Sequence, residues 1–259
     1  MKEFNFTAFI KSVFTLFVFA LMFTNCSTDE DLVETIATPE ASTATERVIN
    51  VTGYYRGNGD NGHYYIRQIG NTVFWFGEDP GGRWANVFRG TLSGSRLQGT
   101  FYDVPKGRNQ GIAPLTLQVF NNGNTLTENS PFFGASTLTK TTKPSSLPAP
   151  RAQGFGNVGN INDLTARWET NGNGVYYVRQ VGGTVVWFGE QNNGTSLPIW
   201  ANVAFGTRTG NTIQLTWMDV PKGGNGGTGE VTLRVVDANT LSKTGGTGNY
   251  FGSINWERN

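Results

Sequence analysis

Tyr64-Tyr65-Ile66-Arg67-Gln68-Ile69-Gly70 and Trp75-Phe76-Gly77-Glu78 return as Tyr176-Tyr177-Val178-Arg179-Gln180-Val181-Gly182 and Trp187-Phe188-Gly189-Glu190, an offset of 112 residues. Two further blocks follow in the same order at an offset of 116. Trp84-Ala85-Asn86-Val87 returns as Trp200-Ala201-Asn202-Val203, and Asp103-Val104-Pro105-Lys106-Gly107 as Asp219-Val220-Pro221-Lys222-Gly223. Four ordered blocks at nearly constant spacing identify an internal duplication. The step in offset places four extra residues in the second copy, around Gln191-Asn192-Asn193-Gly194.

Each copy divides into about eight strand-like runs separated by Gly, Asn and Pro. In the first copy these are Thr52–Arg56, His63–Ile69, Thr72–Gly77, Trp84–Gly90, Arg96–Val104, Leu115–Phe120, Thr125–Asn129 and Phe132–Thr139. Gly70-Asn71, Gly94-Ser95 and Asn122-Gly123 carry hairpin chemistry. Leu97, Gly99 and Phe101 share one strand face, and Leu115, Leu117 and Val119 another. Ile213, Leu215 and Trp217, then Val231, Leu233 and Val235, repeat the pattern. One apolar and one polar face per strand means antiparallel sheet with a wet side. Eight hairpin-linked strands in about 95 residues fit a small up-and-down barrel, with a small β-sandwich as the alternative. The copies open on Gly53-Tyr54-Tyr55-Arg56-Gly57-Asn58-Gly59 and Ala166-Arg167-Trp168-Glu169-Thr170-Asn171-Gly172. These openings resemble the first strand of avidin- and lipocalin-type barrels, over one strand per copy, and that resemblance favours the barrel.

The expected organisation is a leader at 1–26, a tether at 27–47, barrels at 48–140 and 163–259, and a linker at 141–162. Pro144, Pro148 and Pro150 among Ser and Gly mark the linker, whose length argues for two units that each close their own core. With 35 Gly, 13% aromatic residues and only 15% charged residues among 259, the chain suits short strands and tight turns. A net charge of +1 gives no global field favouring nucleic acid. A lone cysteine excludes an internal disulfide, and a lone histidine, His63, excludes the common zinc sites. No cofactor is implied.

Lys2 and Lys11 precede an apolar run from Val13 to Phe23, too short to span a bilayer. Phe23-Thr24-Asn25-Cys26 follows and resembles a relaxed lipobox. Ser27-Thr28-Asp29-Glu30-Asp31 resembles the acidic tract behind the acylated cysteine of surface lipoproteins of Bacteroidetes. The resemblance implies export, a palmitate-type acyl anchor on Cys26, and a place on the outer membrane facing outward. Residues 32–46, rich in Thr, Ala and Glu, suit a disordered leash.

The duplicated polar and aromatic residues are where chemistry could sit. Arg67, Trp75, Trp84, Asn86 and Asp103, with Arg179, Trp187, Trp200, Asn202 and Asp219, form the candidate ligand-binding set. A Trp face stacks on a sugar ring while Asn, Asp and Arg bond its hydroxyls, and a small barrel has room for one ligand at its mouth. Trp84 and Asn86, two apart, point to one strand face. The competing reading is structural. Trp75 and Trp84 then fill the core, Arg67 and Glu78 make a cross-strand ion pair, and Asp103 pairs with Lys106. Asp-Val-Pro-Lys-Gly is then a turn whose Pro and Gly set dihedrals. No Ser-His-Asp or Cys-His set and no phosphate loop is present. Glu78 with Asp103 is the one carboxylate pair to weigh as a glycosidase, and a small barrel offers no long cleft for it. The expectation is a non-catalytic surface module binding an extracellular ligand of glycan type, two copies giving avidity. A structural or adhesion protein of the envelope is the second reading and a glycan-processing enzyme the third.

Overall fold

The computed structural model describes residues 48–129, 133–146, 155–156, 159–191, 197–248 and 251–259. The leader, Cys26, the tether, the middle of the linker and most of the four-residue insertion lie outside the described residues.

The chain is all-β and builds two closed antiparallel barrels of eight strands each. The first runs β1 (Gly53–Gly57), β2 (His63–Ile69), β3 (Thr72–Glu78), β4 (Ala85–Ser93), β5 (Arg96–Asp103), β6 (Ile112–Phe120), β7 (Thr125–Glu128) and β8 (Thr137–Thr141). The second runs β9 (Ala166–Glu169), β10 (Gly174–Val181), β11 (Thr184–Gln191), β12 (Ala201–Thr209), β13 (Thr212–Asp219), β14 (Thr228–Val235), β15 (Thr240–Gly246) and β16 (Asn255–Arg258). Every strand pairs with its sequence neighbours, and β1–β8 and β9–β16 close the barrels. Closure removes the free sheet edges that a sandwich of these strands would leave.

The last strand of the first copy starts later than its apolar pattern predicts. Phe133 lies ahead of β8 and packs edge-on to Phe101, 5.4 Å between centroids. Its backbone N–H donates to Glu128 Oε1, so the ring caps the barrel instead of extending a ladder.

Period-two alternation gives each barrel its own interior. Tyr64, Ile66, Val73, Trp75, Phe88 and Leu97 point inward in the first barrel, and Tyr176, Val178, Val185, Trp187 and Ile213 in the second. One end of each barrel is stopped by the chain that leads into it. Gln68 accepts from Val51 N and donates to Ile49 O. Gln180 likewise accepts from Leu164 N and donates to Asn162 O.

A third apolar cluster joins the two barrels. Tyr65, Phe74, Phe76 and Val87, on outward positions of β2–β4, meet Tyr177, Val186, Phe188 and Val203 from the matching strands of the second barrel. Phe76 and Phe188 stack with centroids 3.5 Å apart and planes 6° from parallel. These strands are apolar on both faces because both faces are buried. Two self-closed cores are therefore welded by a shared one.

Candidate functional site

The loops after β1, β3, β5 and β7 gather at the open end of the first barrel. There Asp60, Tyr64, Trp84, Asn86, Phe101, Asp103, Gln110 and Phe133 are among the residues lining a cavity of about 340 Å³. The matching end of the second barrel holds a cavity of about 250 Å³, lined among others by Tyr176, Trp200, Asn202, Trp217, Asp219, Phe251 and Ser253. Trp84, Asn86 and Asp103 thus come together in one mouth, and Trp200, Asn202 and Asp219 in the other.

The walls are aromatic. Trp84 lies 5.6 Å from Tyr64 between centroids and Trp200 lies 5.8 Å from Tyr176. Both tryptophans are half-buried at the rim. The floor is polar. Trp75 is fully buried, and its indole N–H donates to Asn86 Oδ1 at 3.0 Å; Trp187 does the same to Asn202 Oδ1 at 2.9 Å. An indole N–H can only donate, so it fixes which end of each amide faces the core. In the first mouth the Nδ2 group is left as the end available to the cavity; in the second the Asn202 amide also donates to the Tyr176 hydroxyl. Gly77 makes the room: a Cβ there would sit 2.8 Å from the Tyr64 ring and 2.9 Å from Asn86 Oδ1. Asn86 therefore has a structural task as well as a place in the mouth.

Asp103 is 5% exposed and Asp219 3%. Asp103 Oδ2 accepts from Gly111 N, and Asp219 Oδ2 from Gly227 N, both at 2.7 Å. The second oxygen of Asp103 has no hydrogen-bond partner among the described residues, and the residue lines the cavity. Burial pushes the Asp103 carboxyl up to about 6, against the pull of the Gly111 amide and of Arg179, and pushes Asp219 up as well.

Lys106 does not pair with Asp103, and Arg67 does not pair with Glu78. Across β2 and β3, Arg67 stands opposite Phe74 while Glu78 stands opposite His63, too far along the strands to meet. Each arginine instead crosses to the other barrel. Arg179 Nη1 donates to Asp103 O at 2.7 Å and Gly111 O at 3.3 Å, and its Nη2 to Gln110 O at 2.7 Å. Arg67 Nη1 donates to Asp219 O at 3.2 Å and Gly227 O at 3.4 Å, and its Nη2 to Gly226 O at 2.6 Å. The barrels are thus joined by a self-complementary contact in which each copy offers the other the same groups. Arg67 and Arg179 hold the loop that carries the opposite mouth's aspartate rather than lining a mouth themselves.

The same contact buries a ring of four charges. Lys106 Nζ lies 3.0 Å from Glu78 Oε2 and 2.5 Å from Glu190 Oε1, and Lys222 Nζ lies 2.8 Å from Glu78 Oε1 and 2.9 Å from Glu190 Oε2. Burial opposes the charge on Glu78, but Lys106 and Lys222 outweigh it and hold the carboxyl down at about 2. Glu190 is lowered in the same way. Burial also opposes the Lys106 ammonium, and Glu190 and Glu78 outweigh that, holding it above the usual lysine range. Glu78 faces outward into this ring while Asp103 faces the mouth, so the two carboxylates do not share a cavity.

Asp-Val-Pro-Lys-Gly is accordingly more than a turn. Asp103 faces the mouth, Val104 enters the shared core and Lys106 enters the charge ring. Gly107 is needed for close approach rather than for its dihedrals: a Cβ would lie 2.5 Å from the Trp84 backbone. The charge ring and the arginine contacts escaped the sequence reading. Their signal was strands β2, β3, β10 and β11, apolar on both faces.

Searches of protein-family models and of curated proteins give no match to this chain.

Proposed function

We propose that the chain is a lipid-anchored, non-catalytic binding protein of the outer membrane surface, whose two barrel mouths each take a small polar, ring-bearing ligand of glycan type. The observation that supports this reading is the double occurrence of one constellation. A rim tryptophan, a floor amide and a buried carboxylate stand at matched positions in both mouths. A flat aromatic face suits the C–H face of a sugar ring, and the amide and carboxylate suit its hydroxyls. Cavities of about 250 and 340 Å³ are of the size for one monosaccharide unit. Two mouths on one chain favour a ligand presented in many copies.

Rim substitutions test this. Trp84→Ala with Trp200→Ala should lower binding to a glycan array about tenfold or more, measured at a temperature where the double variant is folded, since both rings also pack on the cores. Asn86→Ala and Asn202→Ala remove the amide itself and strand a buried indole N–H at about 1–3 kcal/mol, so their binding is compared at a temperature where unfolding curves show the variants folded. Undiminished binding in the tryptophan double variant would remove the mouths from the function. The anchor is checked separately: Cys26→Ala should abolish acyl labelling and release the protein from the membrane fraction.

A further inference from the structure

The two mouths differ in one respect that bears on what they hold. Among the described residues, the first has two carboxylates in its lining, Asp60 and Asp103, and no lysine or arginine. The second has Asp219 alone among its described lining residues: its β9–β10 loop is one residue shorter, and Thr170 Oγ1 takes the Gly174 N–H there as Asp60 Oδ1 takes that of Gly62 in the first. Asp60 is not a chance surface acid. It is buried to 9% exposure, its Oδ2 accepts from Tyr64 O–H at 2.6 Å and its Oδ1 from Gly62 N at 2.8 Å. In the second barrel the equivalent hydroxyl, on Tyr176, turns instead to Ser253 Oγ at 3.3 Å. Each crossing arginine donates to three carbonyls behind its mouth in the same way in both barrels, so it does not distinguish them; Arg83, which feels the Asp60 charge from the rim, is exposed to solvent and already paired with Asp79.

Resting on the reading of the mouths as binding sites, we propose that the first mouth takes a ligand bearing a protonated amino group, and the second a neutral counterpart. Four observations converge on the first mouth. Its walls are the faces and edges of Tyr64, Trp84, Phe101 and Phe133, and aromatic faces attract cations. Two carboxylates supply the opposite charge. The free oxygen of the buried Asp103 is an acceptor without a partner among the described residues. Asp60 has accepted one hydrogen bond on each oxygen and retains capacity for more, since a carboxylate has about four lone-pair sites. An ammonium is donor-only and satisfies all of these at once. A hydroxyl can donate only one proton and leaves the charge uncompensated. In the second mouth the neutral hydroxyls of Thr170 and Ser253 take the two hydrogen bonds that Asp60 takes in the first.

The test uses the full mature chain labelled with 5-fluorotryptophan. Its seven tryptophans give separate reporters for Trp84 and Trp200, assigned with Trp84→Phe and Trp200→Phe. The probes are glucosamine and glucose, which differ by one ammonium in place of one hydroxyl. They are titrated near neutral pH, where the amine is mainly protonated and Asp103, pushed up to about 6 by burial, is ionised. At the Trp84 reporter glucosamine should bind about tenfold tighter than glucose, the worth of one charge-assisted contact. At the Trp200 reporter the two should bind alike. Asp60→Asn keeps an acceptor for the turn and should erase the preference. Gly172→Asp, where a Cβ meets only Thr170 Oγ1 at 4.0 Å, should create it in the second mouth. Equal binding of both probes at Trp84, or a preference that survives Asp60→Asn, overturns the proposal and leaves the mouths standing as neutral sugar sites. Binding of neither probe at either reporter overturns the proposal as well and, with a blank glycan array, the function on which it rests.

Discussion

The two barrel interiors share a scaffold and differ in packing, whereas the centre of the face by which they meet repeats the same residues, with differences such as Phe74 against Val186 and Tyr102 against Met218 toward its edges. In the first barrel Phe88 stacks on Trp75 at 3.9 Å over the facing pair Gly90 and Gly99. A Cβ on either glycine would come within 2.5 Å of the Phe88 ring. In the second barrel Phe88 becomes Ala204, Gly99 becomes Leu215, Phe101 becomes Trp217 and Leu138 becomes Trp256, all in the interior. Volume has moved from strand to strand while the barrel stayed the same. Across the joint, Phe76, Glu78, Val87, Val104 and Lys106 have identical counterparts in Phe188, Glu190, Val203, Val220 and Lys222. A core accepts any set of side chains that fills it. A self-complementary contact is stricter, since each residue meets the image of its own neighbourhood. Identity between the copies therefore marks the charge ring, the crossing arginines and the Trp, Asn and Asp of the mouths.

Breaking the symmetry of the charge ring should have the largest effect. Lys106→Met leaves two buried glutamates sharing one ammonium and should cost about 3–5 kcal/mol in urea unfolding, the penalty of an uncompensated buried charge. Replacing all four charges by apolar residues of similar volume should cost far less, and a loss as large as that of the single variant would show the ring itself to be stabilising. The cores should respond unequally to reciprocal swaps. Phe88→Ala empties the space over two glycines and should cost about 3–5 kcal/mol. Ala204→Phe forces a ring against Leu215 and Trp217 and should cost about 1–3 kcal/mol by overpacking. Equal losses would mean that the two interiors are packed alike.

Joint and mouth should also titrate in opposite directions. Glu78 is held below its ordinary 4.5, so its contribution is present above that pH and is lost as pH falls toward about 2. Asp103 is raised above its ordinary 3.8, so its contribution is present below that value and is lost as pH rises through about 6. Near neutrality its buried charge is a burden. Asp103→Asn should thus raise stability by about 1–3 kcal/mol at neutral pH and change little below its ordinary carboxylate range. Stability measured against pH for both forms checks this, and parallel curves would contradict it.

The barrel was legible because alternation in Leu97–Phe101 and Leu115–Val119 is a local property, and hairpin glycines such as Gly70 and Gly94, both at positive φ, write their turns into the chain. Trp84 and Asn86 could be placed on a common face for the same reason. The task of Asn86 could not, since its partner Trp75 lies across the sheet. Nor could the destination of Arg67 and Lys106, because both reach groups more than 80 residues away in the chain. The doubly apolar Val73-Phe74-Trp75-Phe76 announced a second buried face but not what covers it.

The symmetry of the joint has a consequence for how the protein behaves on dilution. Two free barrels meeting through one self-complementary face would separate as their concentration fell. Joined in one chain, they meet at an effective concentration that dilution does not lower. The share of molecules in which the pair is assembled therefore does not fall as the protein is spread more sparsely, and each mouth keeps the arginine that its twin extends to it.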